Sequence, residues 1–177
     1  MEGMIRRMKV NAVLFIVLVI GILICYGFRD NIETAKYELP RIQSTQPEKI
    51  VHHSGYSVSF NTDWRIPNWV AYELTAEEVA GVEPRGNNFV PDPQIYGTPS
   101  TDDYKNSGYD RGHMAPAGDM KWSKQAMDES FYTSNICPQN KNLNKGDWKD
   151  LEEHVRRMAT KYDHVFVTRG SVVSGRC

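Results

Sequence analysis

One histidine lies in an unusual setting, between an Arg-Gly pair and a run of small residues. The stretch YDRGHMAPAGD runs from Tyr109 to Asp119 and contains the imidazole of His113. A ring in a glycine-flanked loop can be held rigidly while it faces a cleft, and a neutral imidazole held in this way can take a proton from water. A lone histidine is more often a structural residue, so its neighbours in the sequence must decide between the two roles.

Amide side chains follow this histidine in TSNICPQNKNLNKGDWKDLEEHVRR, residues 133–157. Asn144 offers a side-chain oxygen to a hard cation, and Mg²⁺ accepts such sparse ligation because it keeps most of its waters. Glu152 and Arg156 follow at helical spacing, so we expect them on the same side of a helix as Asn144. Glu152 can then hold a metal-bound water, and Arg156 can bind a phosphate oxygen. The alternative is an N-cap asparagine followed by an exposed Glu152–Arg156 ion pair.

Two stretches carry a family resemblance. DRGHMAPAGD, followed by SNICPQNKNLNKGDWKDLE, resembles the DNA/RNA non-specific endonucleases of the ββα-metal, or His-Me finger, superfamily. NWVAYELT and RGNNFVPDP also resemble segments of that family, so that the resemblance covers about residues 54–173. It implies an α+β fold with a central antiparallel sheet. It also implies an endonuclease that uses Mg²⁺, with Mn²⁺ as a substitute ion, to hydrolyse DNA and RNA to 5′-phosphate products without preference for sequence or sugar.

The resemblance implies a role for each matching residue. His113 corresponds to the general base that takes a proton from the attacking water, and Arg111 to an arginine that contacts the phosphate. Asn144 corresponds to the direct protein ligand of Mg²⁺, and Glu152 to the carboxylate that orients the waters of the ion. Two further arginines match phosphate-binding positions and two residues match supporting positions, namely Arg85, Arg156, Asp110 and Asn135.

Strands and short helices that must position these residues can be predicted from the hydrophobic pattern. YSVSFN (56–61) and NWVAYEL (68–74) alternate apolar and polar residues as strands do. TAEEV (75–79) is predicted to begin a short helix. Residues 84–112, rich in Gly, Pro, Asn and Asp, are predicted to be mostly loop, and SKQAMDESFYTSN (123–135) to be a short helix or a turn before a strand.

The last two elements have the clearest pattern. NKGDWKDLEEHVRRMATKY, residues 144–162, is predicted to be one helix with Asn144 as its N-cap. Its apolar face is predicted to consist of Trp148, Leu151, Val155 and Met158. DHVFVTRGSVV, residues 163–173, is predicted to be a buried strand.

The sequence departs from the family near its end. Family domains continue beyond the strand at 163–173, whereas this sequence ends in SGRC, and TRGSVV stands where the family reads closer to T-G-P-V. The nuclease domain is therefore predicted to be truncated, with an unpaired sheet edge. An inactive fragment, or a nucleic-acid-binding remnant held at the membrane, is the alternative to an active enzyme. A sequence-specific HNH-type nuclease is disfavoured, because DRGH and NLNKGDW are typical of the non-specific branch.

The N-terminal residues differ in kind from the rest. A leader with three basic residues precedes AVLFIVLVIGILICYGF, residues 12–28, which carries no charge. This run is longer than a usual signal-peptide core and lacks a small-residue cleavage site, so we favour a transmembrane anchor over a removed signal. The basic leader then predicts an exported domain attached to the cell membrane, or a secreted one if the segment is cleaved. The predicted division is an anchor or signal at 1–29, a linker at 30–49 and the nuclease domain at 50–177.

Charge is distributed unevenly along the chain. The formal net charge is −1, but residues 30–109 carry six Lys and Arg against twelve Asp and Glu, and residues 110–177 carry eleven against nine. We therefore expect contact with DNA or RNA on the second part. An exported domain permits Cys137 and Cys177 to pair, but their spacing does not decide whether they do. A homodimer and an inhibitor protein also stay open as partners.

Overall fold

The computed structural model describes residues 39–40 and 47–171. The elements in chain order are β1 (Lys49–His52), β2 (Ser57–Asn61), β3 (Ile66–Thr75), α1 (Ala76–Val79), β4 (Asp110–His113), α2 (Lys124–Ser130), β5 (Ile136–Gln139), α3 (Lys141–Lys145), α4 (Asp147–Tyr162) and β6 (His164–Gly170). Within the described ranges, no helix is both long and apolar enough to cross a membrane. The predicted membrane segment at 12–28 lies outside those ranges, as does Cys177, whose pairing with Cys137 the sequence leaves open.

Four strands form an antiparallel sheet in the order β1-β2-β3-β6. Every residue of β2 is buried, and it pairs with the long β3 through Val58 opposite Val70. Asn61 ends β2 by accepting the backbone N–H groups of Asp63 and Trp64 at 3.0 and 2.9 Å, which fixes the turn into β3. The alternating patterns of the sequence therefore predict both strands, and the antiparallel sheet with flanking helices confirms the α+β fold class.

Strand β6 departs from its prediction as a buried strand. Val167 and Arg169 are buried, whereas the neighbouring positions along the strand are exposed or half-buried. In the part of the chain that the structure describes, β6 pairs with β3 and forms an edge of the sheet. An antiparallel strand at such an edge can turn one face to the core and the other to solvent, so an apolar run is not needed to hold it.

A second, two-stranded sheet carries the histidine. β4 and β5 are antiparallel, with Gly112 opposite Cys137 and His113 opposite Ile136. A side chain at Gly112 would collide with Gln139, so this pairing depends on a glycine next to the histidine. β4 lies at the end of the stretch predicted to be mostly loop. Its DRGH sequence lacks apolar alternation, and the backbone pairing with β5 supplies the order that the pattern does not show.

The predicted helix at 144–162 is two helices rather than one. Asn140 caps α3 by accepting the N–H groups of Asn142 and Leu143, and Asn144 lies inside that helix. Gly146 separates the helices and leads into α4. A Cβ at this position would lie 2.8 Å from the Asn142 carbonyl oxygen, so the close approach of the backbone here favours glycine. The N-cap prediction for Asn144 is therefore wrong.

The apolar face of α4 also differs in detail. Trp148, Val155 and Met158 are half-buried, whereas Leu151 is 47% exposed. Ala159 is the fully buried residue of the helix. The less exposed face of α4 runs through Trp148, Glu152, Val155 and Ala159 at helical spacing, and Leu151 lies outside it.

Candidate functional site

A cleft of about 850 Å³ opens where β4 faces the helices that follow β5. Seven of the eight residues singled out from the sequence line this cleft: Arg85, Asp110, Arg111, His113, Asn144, Glu152 and Arg156. The eighth, Asn135, is fully buried beneath the residues that line it. The fold thus brings these side chains together, while their chemical roles stay predictions.

His113 is enclosed by aromatic rings. It ends β4, is 8% exposed, and lies edge-on to Phe131 at 5.0 Å between ring centroids. Phe89 lies on another side at 5.4 Å. Among the described residues, Nε2 of His113 has no hydrogen-bond partner. The packing therefore leaves Nε2 without a partner in a residue that borders the cleft, where this nitrogen is available to a group that enters it.

The surroundings of His113 keep its ring neutral. Burial, followed by the positive charges of Arg85 and Arg111, lowers the pKa of His113 to about 3. Each arginine packs over one of the enclosing rings, Arg85 over Phe131 at 5.6 Å and Arg111 over Phe89 at 4.1 Å from the ring centroid. The same two arginines therefore oppose protonation of His113 and present positive charge to the cleft.

Acidification is expected to destabilise the fold through His113. The pKa is 6.5 for the ordinary side chain and about 3 in the folded protein, so between these values the unfolded chain binds a proton that the folded one does not. The penalty is absent above pH 6.5 and complete below pH 3, and it amounts to about 2 kcal/mol between about pH 6 and about pH 4. Urea unfolding across this range measures it. A His113→Asn variant should show a shallower pH dependence than a control, His154→Asn, at an exposed site on α4. Equal slopes for both variants would contradict this attribution.

Asn135 ties the chain after His113 to the end of α2. Its Nδ2 donates to the carbonyl oxygens of Ala115 and Ser130 at 2.9 and 2.8 Å, and its Oδ1 accepts the N–H of Ala115 at 2.8 Å. Met114 N donates to the carbonyl oxygen of the same asparagine at 2.9 Å. All of these atoms are buried, where unpaired polar groups are costly. Asn135 is thus placed to fix the backbone that carries the histidine.

Oxygen donors suited to a hard cation line the same cleft. Asn144 Nδ2 donates to Asp110 Oδ2 at 3.2 Å, and this bond leaves the amide oxygen able to bind a cation. In the described part of the chain, no group of three or more His, Cys, Asp or Glu side chains is arranged to hold a metal ion. A zinc-type cage is therefore not built there. An amide oxygen with two carboxylates lining the same cleft instead fits Mg²⁺, which keeps several of its waters.

Glu152 extends from α4 toward the same cleft. Its side chain is 18% exposed, and its Oε1 lies 3.8 Å from Nη1 of Arg169. Burial raises the pKa of Glu152, and the nearby Arg169 opposes that rise. The Glu152 carboxylate thus has Arg169 on its buried side and also lines the cleft.

Arg156 lines the cleft and is paired with a buried carboxylate. Its Nη1 donates to Oδ1 of Asp119 at 2.7 Å, and Asp119 is fully buried. Tyr72 donates its hydroxyl to Oδ2 of the same carboxylate at 2.7 Å. The exposed Glu152–Arg156 pair, considered as an alternative from the sequence, is therefore replaced by a buried Asp119–Arg156 pair. Arg156 still lines the cleft, so this pairing directs the guanidinium rather than withdrawing it.

Several residues of the site were not singled out from the sequence. Phe89 and Phe131 enclose the histidine, Asp119 holds Arg156, and Arg169 faces Glu152. Asp119 is the last residue of the stretch that contains His113, so its place in that motif could have indicated a role in the site. Arg169 offered one in TRGSVV, where an arginine interrupts a strand that otherwise reads as apolar.

Comparisons with known proteins find relatives among nucleases. Nuclease EXOG, mitochondrial, of Danio rerio is 41% identical over 124 residues, which are 68% of this chain and 36% of that protein. Endonuclease G, mitochondrial, of Homo sapiens is 34% identical over 141 residues, 78% of this chain and 46% of the relative. The crystal structure of the EndoG/EndoGI complex matches with a TM-score of 0.63 and 39% identity, covering 67% of this chain and 51% of that one. The chain thus spans less than half of the length of these two relatives.

The relatives correct the prediction of cellular location. EXOG and endonuclease G are mitochondrial nucleases, and Nuclease 1 of Schizosaccharomyces pombe, 39% identical over 128 residues, is mitochondrial as well. The prediction of an exported protein anchored to the cell membrane is therefore wrong. It rested on a basic leader before an apolar run, a pattern that indicates targeting but does not by itself specify the compartment.

The family assignment rests on most of the chain. Residues 37–176 match the family described as DNA/RNA non-specific endonuclease. This range includes both sheets, the aromatic enclosure of His113 and every residue that lines the cleft. The chain belongs to the DNA/RNA non-specific endonuclease family.

Proposed function

We propose that this protein is a Mg²⁺-dependent endonuclease that hydrolyses phosphodiester bonds of DNA and RNA, with His113 as its general base. The observation that carries the proposal is the neutral imidazole of His113 in a cleft that also presents three arginines and an amide oxygen. Relatives named as nucleases over most of the chain support the same chemistry.

The general base must accept a proton at working pH. Because burial and two nearby arginines lower the pKa of His113 to about 3, its ring is unprotonated at neutral pH. A bound phosphate would offset the charges of Arg85 and Arg111 and raise this pKa toward the range in which the ring accepts a proton from the attacking water. Arg85 and Arg111, held over the enclosing rings, face the negative charge that grows on the phosphate oxygens. Arg156 adds a third cation, held in position by Asp119.

A divalent ion would be held on the side of the cleft that faces His113. The amide oxygen of Asn144 would be its direct protein ligand, with Asp110 orienting the amide and Glu152 holding ion-bound waters. Mg²⁺, or Mn²⁺ in its place, supplies charge stabilisation at the phosphate and help for the leaving 3′ oxygen when bound. Products would carry 5′-phosphates.

Weak discrimination among substrates follows from the cleft lining. Its charged groups include Lys105 and Lys149 as well as the arginines, and we expect these cations to bind phosphate oxygens, which carry no sequence information. Cleavage should therefore depend little on sequence or sugar. It should slow as salt is added, because each phosphate contact releases counterions.

The test is digestion of supercoiled plasmid and of an unstructured RNA by the full chain. Reactions contain Mg²⁺, Mn²⁺ or EDTA, and the ends of the products are examined for 5′-phosphate by labelling before and after phosphatase. We expect both substrates to be lost with either ion and to survive in EDTA. Binding of plasmid without cleavage, by protein shown to be folded, would instead indicate a nucleic-acid-binding remnant. Loss of one substrate with survival of the other would contradict the lack of sugar preference.

A further inference from the structure

Arg169 is a buried cation that lies outside the two stretches on which the family resemblance of the site residues rests. It lies on β6 opposite Val70 of β3, and its side chain is 5% exposed. Charged side chains are rarely buried to this extent unless they are paired and hydrogen-bonded. Its contacts should therefore explain its place.

The guanidinium of Arg169 touches both sides of the site. Nη1 donates to the carbonyl oxygen of Met114, the residue that follows His113, at 3.0 Å. The same nitrogen lies 3.8 Å from Oε1 of Glu152 on α4. One atom thus connects the backbone of the histidine strand to the carboxylate proposed to orient metal-bound waters.

Two aromatic rings hold this guanidinium in place. Tyr72 lies 5.9 Å and Trp148 5.3 Å from its central carbon, measured to the ring centroids. A planar guanidinium between ring faces gains cation–π attraction and loses rotational freedom. Among the described residues, Nη2 of Arg169 has no hydrogen-bond partner, so its full bonding capacity is not met by the packing around it.

Charge balance beneath the cleft also depends on Arg169. Two carboxylates, Asp119 and Glu152, lie near two arginines, Arg156 and Arg169. Asp119 is already paired with Arg156 and Tyr72. Arg169 is the cation that most strongly opposes the effect of burial on Glu152, with smaller contributions from Arg156 and Arg85, and it favours the ionised form of that carboxylate.

We propose that Arg169 is a positioning residue, which sets the Glu152 carboxylate relative to the strand that carries His113. This inference rests on the proposed function of the cleft. Arg169 acts through Glu152, so its removal should weaken metal binding and turnover while leaving the affinity for nucleic acid nearly unchanged. A residue with a purely structural role would lower stability without changing either property of the folded fraction.

The first arm of the test is a double-mutant cycle in turnover. The four proteins are the full chain, Arg169→Met, Glu152→Gln and the double variant, and kcat and KM for plasmid cleavage are measured well below their melting temperatures. We expect Arg169→Met alone to lower kcat by about 10- to 100-fold, as removal of supporting residues around a metal site does. In the Glu152→Gln background the same change should have little further effect. If the reduction of kcat in the double variant equals the product of the reductions in the two single variants, Arg169 acts independently of Glu152 and the proposal is overturned.

The second arm does not depend on cleavage. Binding of Mn²⁺ is titrated by electron paramagnetic resonance in the same four proteins, and we expect Arg169→Met to weaken it by about 10-fold in the presence of Glu152 and little in its absence. Arg169→Lys keeps the charge but replaces the planar guanidinium by one ammonium, so its Mn²⁺ affinity should lie between those of the unmodified chain and Arg169→Met. It replaces the methionine variant in the test if that variant does not fold. Arg157→Met removes an exposed arginine of α4 and should match the unmodified chain.

The outcomes separate the two proposals. If the unmodified chain does not cleave, the proposed function fails, and the Mn²⁺ cycle alone decides the role of Arg169. If the chain cleaves but folded Arg169 variants keep kcat and Mn²⁺ affinity within about twofold of it, the positioning role is refuted and the nuclease proposal stands.

Discussion

Replacing His113 by alanine will lower kcat for plasmid cleavage by about 10³-fold, with little change in KM. General bases contribute about 10²- to 10⁴-fold to such reactions, and the neutral ring of His113 is the base proposed for the attacking water. The arginines and the metal ligands stay in place in this variant, so substrate binding should persist. Initial rates at saturating Mg²⁺, together with a melting curve to establish folding, measure the effect.

The vacated space offers a sharper form of this experiment. Removal of the ring leaves a cavity between Phe89 and Phe131, which enclose it at 5.4 and 5.0 Å between ring centroids. Added imidazole should enter that cavity and restore part of the activity of His113→Ala, whereas a control variant, His154→Ala on the exposed side of α4, should need no rescue. A His113→Ala protein that cleaves within tenfold of the unmodified chain would eliminate the histidine as the base.

Replacing Arg156 by alanine will lower the free energy of unfolding by about 3 kcal/mol. Its partner Asp119 is fully buried, and loss of one member of a buried ion pair leaves an uncompensated charge. The arginine is 22% exposed, so the effect should lie at the lower end of the range for buried pairs. Urea unfolding measures it. Arg157→Ala, at an exposed position next to it, should change stability by less than about 0.5 kcal/mol.

A second substitution separates stability from catalysis at this pair. In Asp119→Asn/Arg156→Ala, the neutral amide removes the buried charge and can still accept the hydroxyl of Tyr72, so much of the lost stability should return. Activity should stay low in the same protein, because the proposed phosphate contact of Arg156 is still missing. Recovery of both properties together would show that Arg156 matters for the fold and not for the phosphate. Failure of the asparagine to restore stability would contradict the buried-charge explanation.

The sequence predicts those elements whose apolar residues recur with the period of a strand or a helix. Alternation of apolar and polar residues predicts β2 and β3, although the polar positions of β2 are buried as well, where Ser59 is hydrogen-bonded to Glu48 and Asn61 to Asn68. The spacing within α4 follows the helical period. By contrast, the DRGH stretch of β4 has no such alternation, and its order comes from pairing with β5 far along the chain. The predicted N-cap at Asn144 failed because two capping signals lie close together, and the earlier one, Asn140, begins a separate helix.

Site residues were predictable where a short motif contains them. His113, Asn144 and Glu152 belong to the two stretches that carry the family resemblance, and all three line one cleft. Contacts that hold them in place join distant parts of the chain, such as Asp119 with Arg156 and Arg169 with Met114. No local periodicity signals such pairs, because each is created by the packing of one element on another.

The break at Gly146 places Asn144 and Glu152 on different helices, and this affects how mutations can change their relative position. In one continuous helix, eight residues would span about 12 Å along the axis, and the two side chains could be moved only together. Because α3 and α4 are separate helices here, the amide and the carboxylate of the proposed site lie on two segments that meet at Gly146. We expect substitutions within α3 to change the position of the amide more than that of the carboxylate, with the glycine between the helices as the condition for this difference.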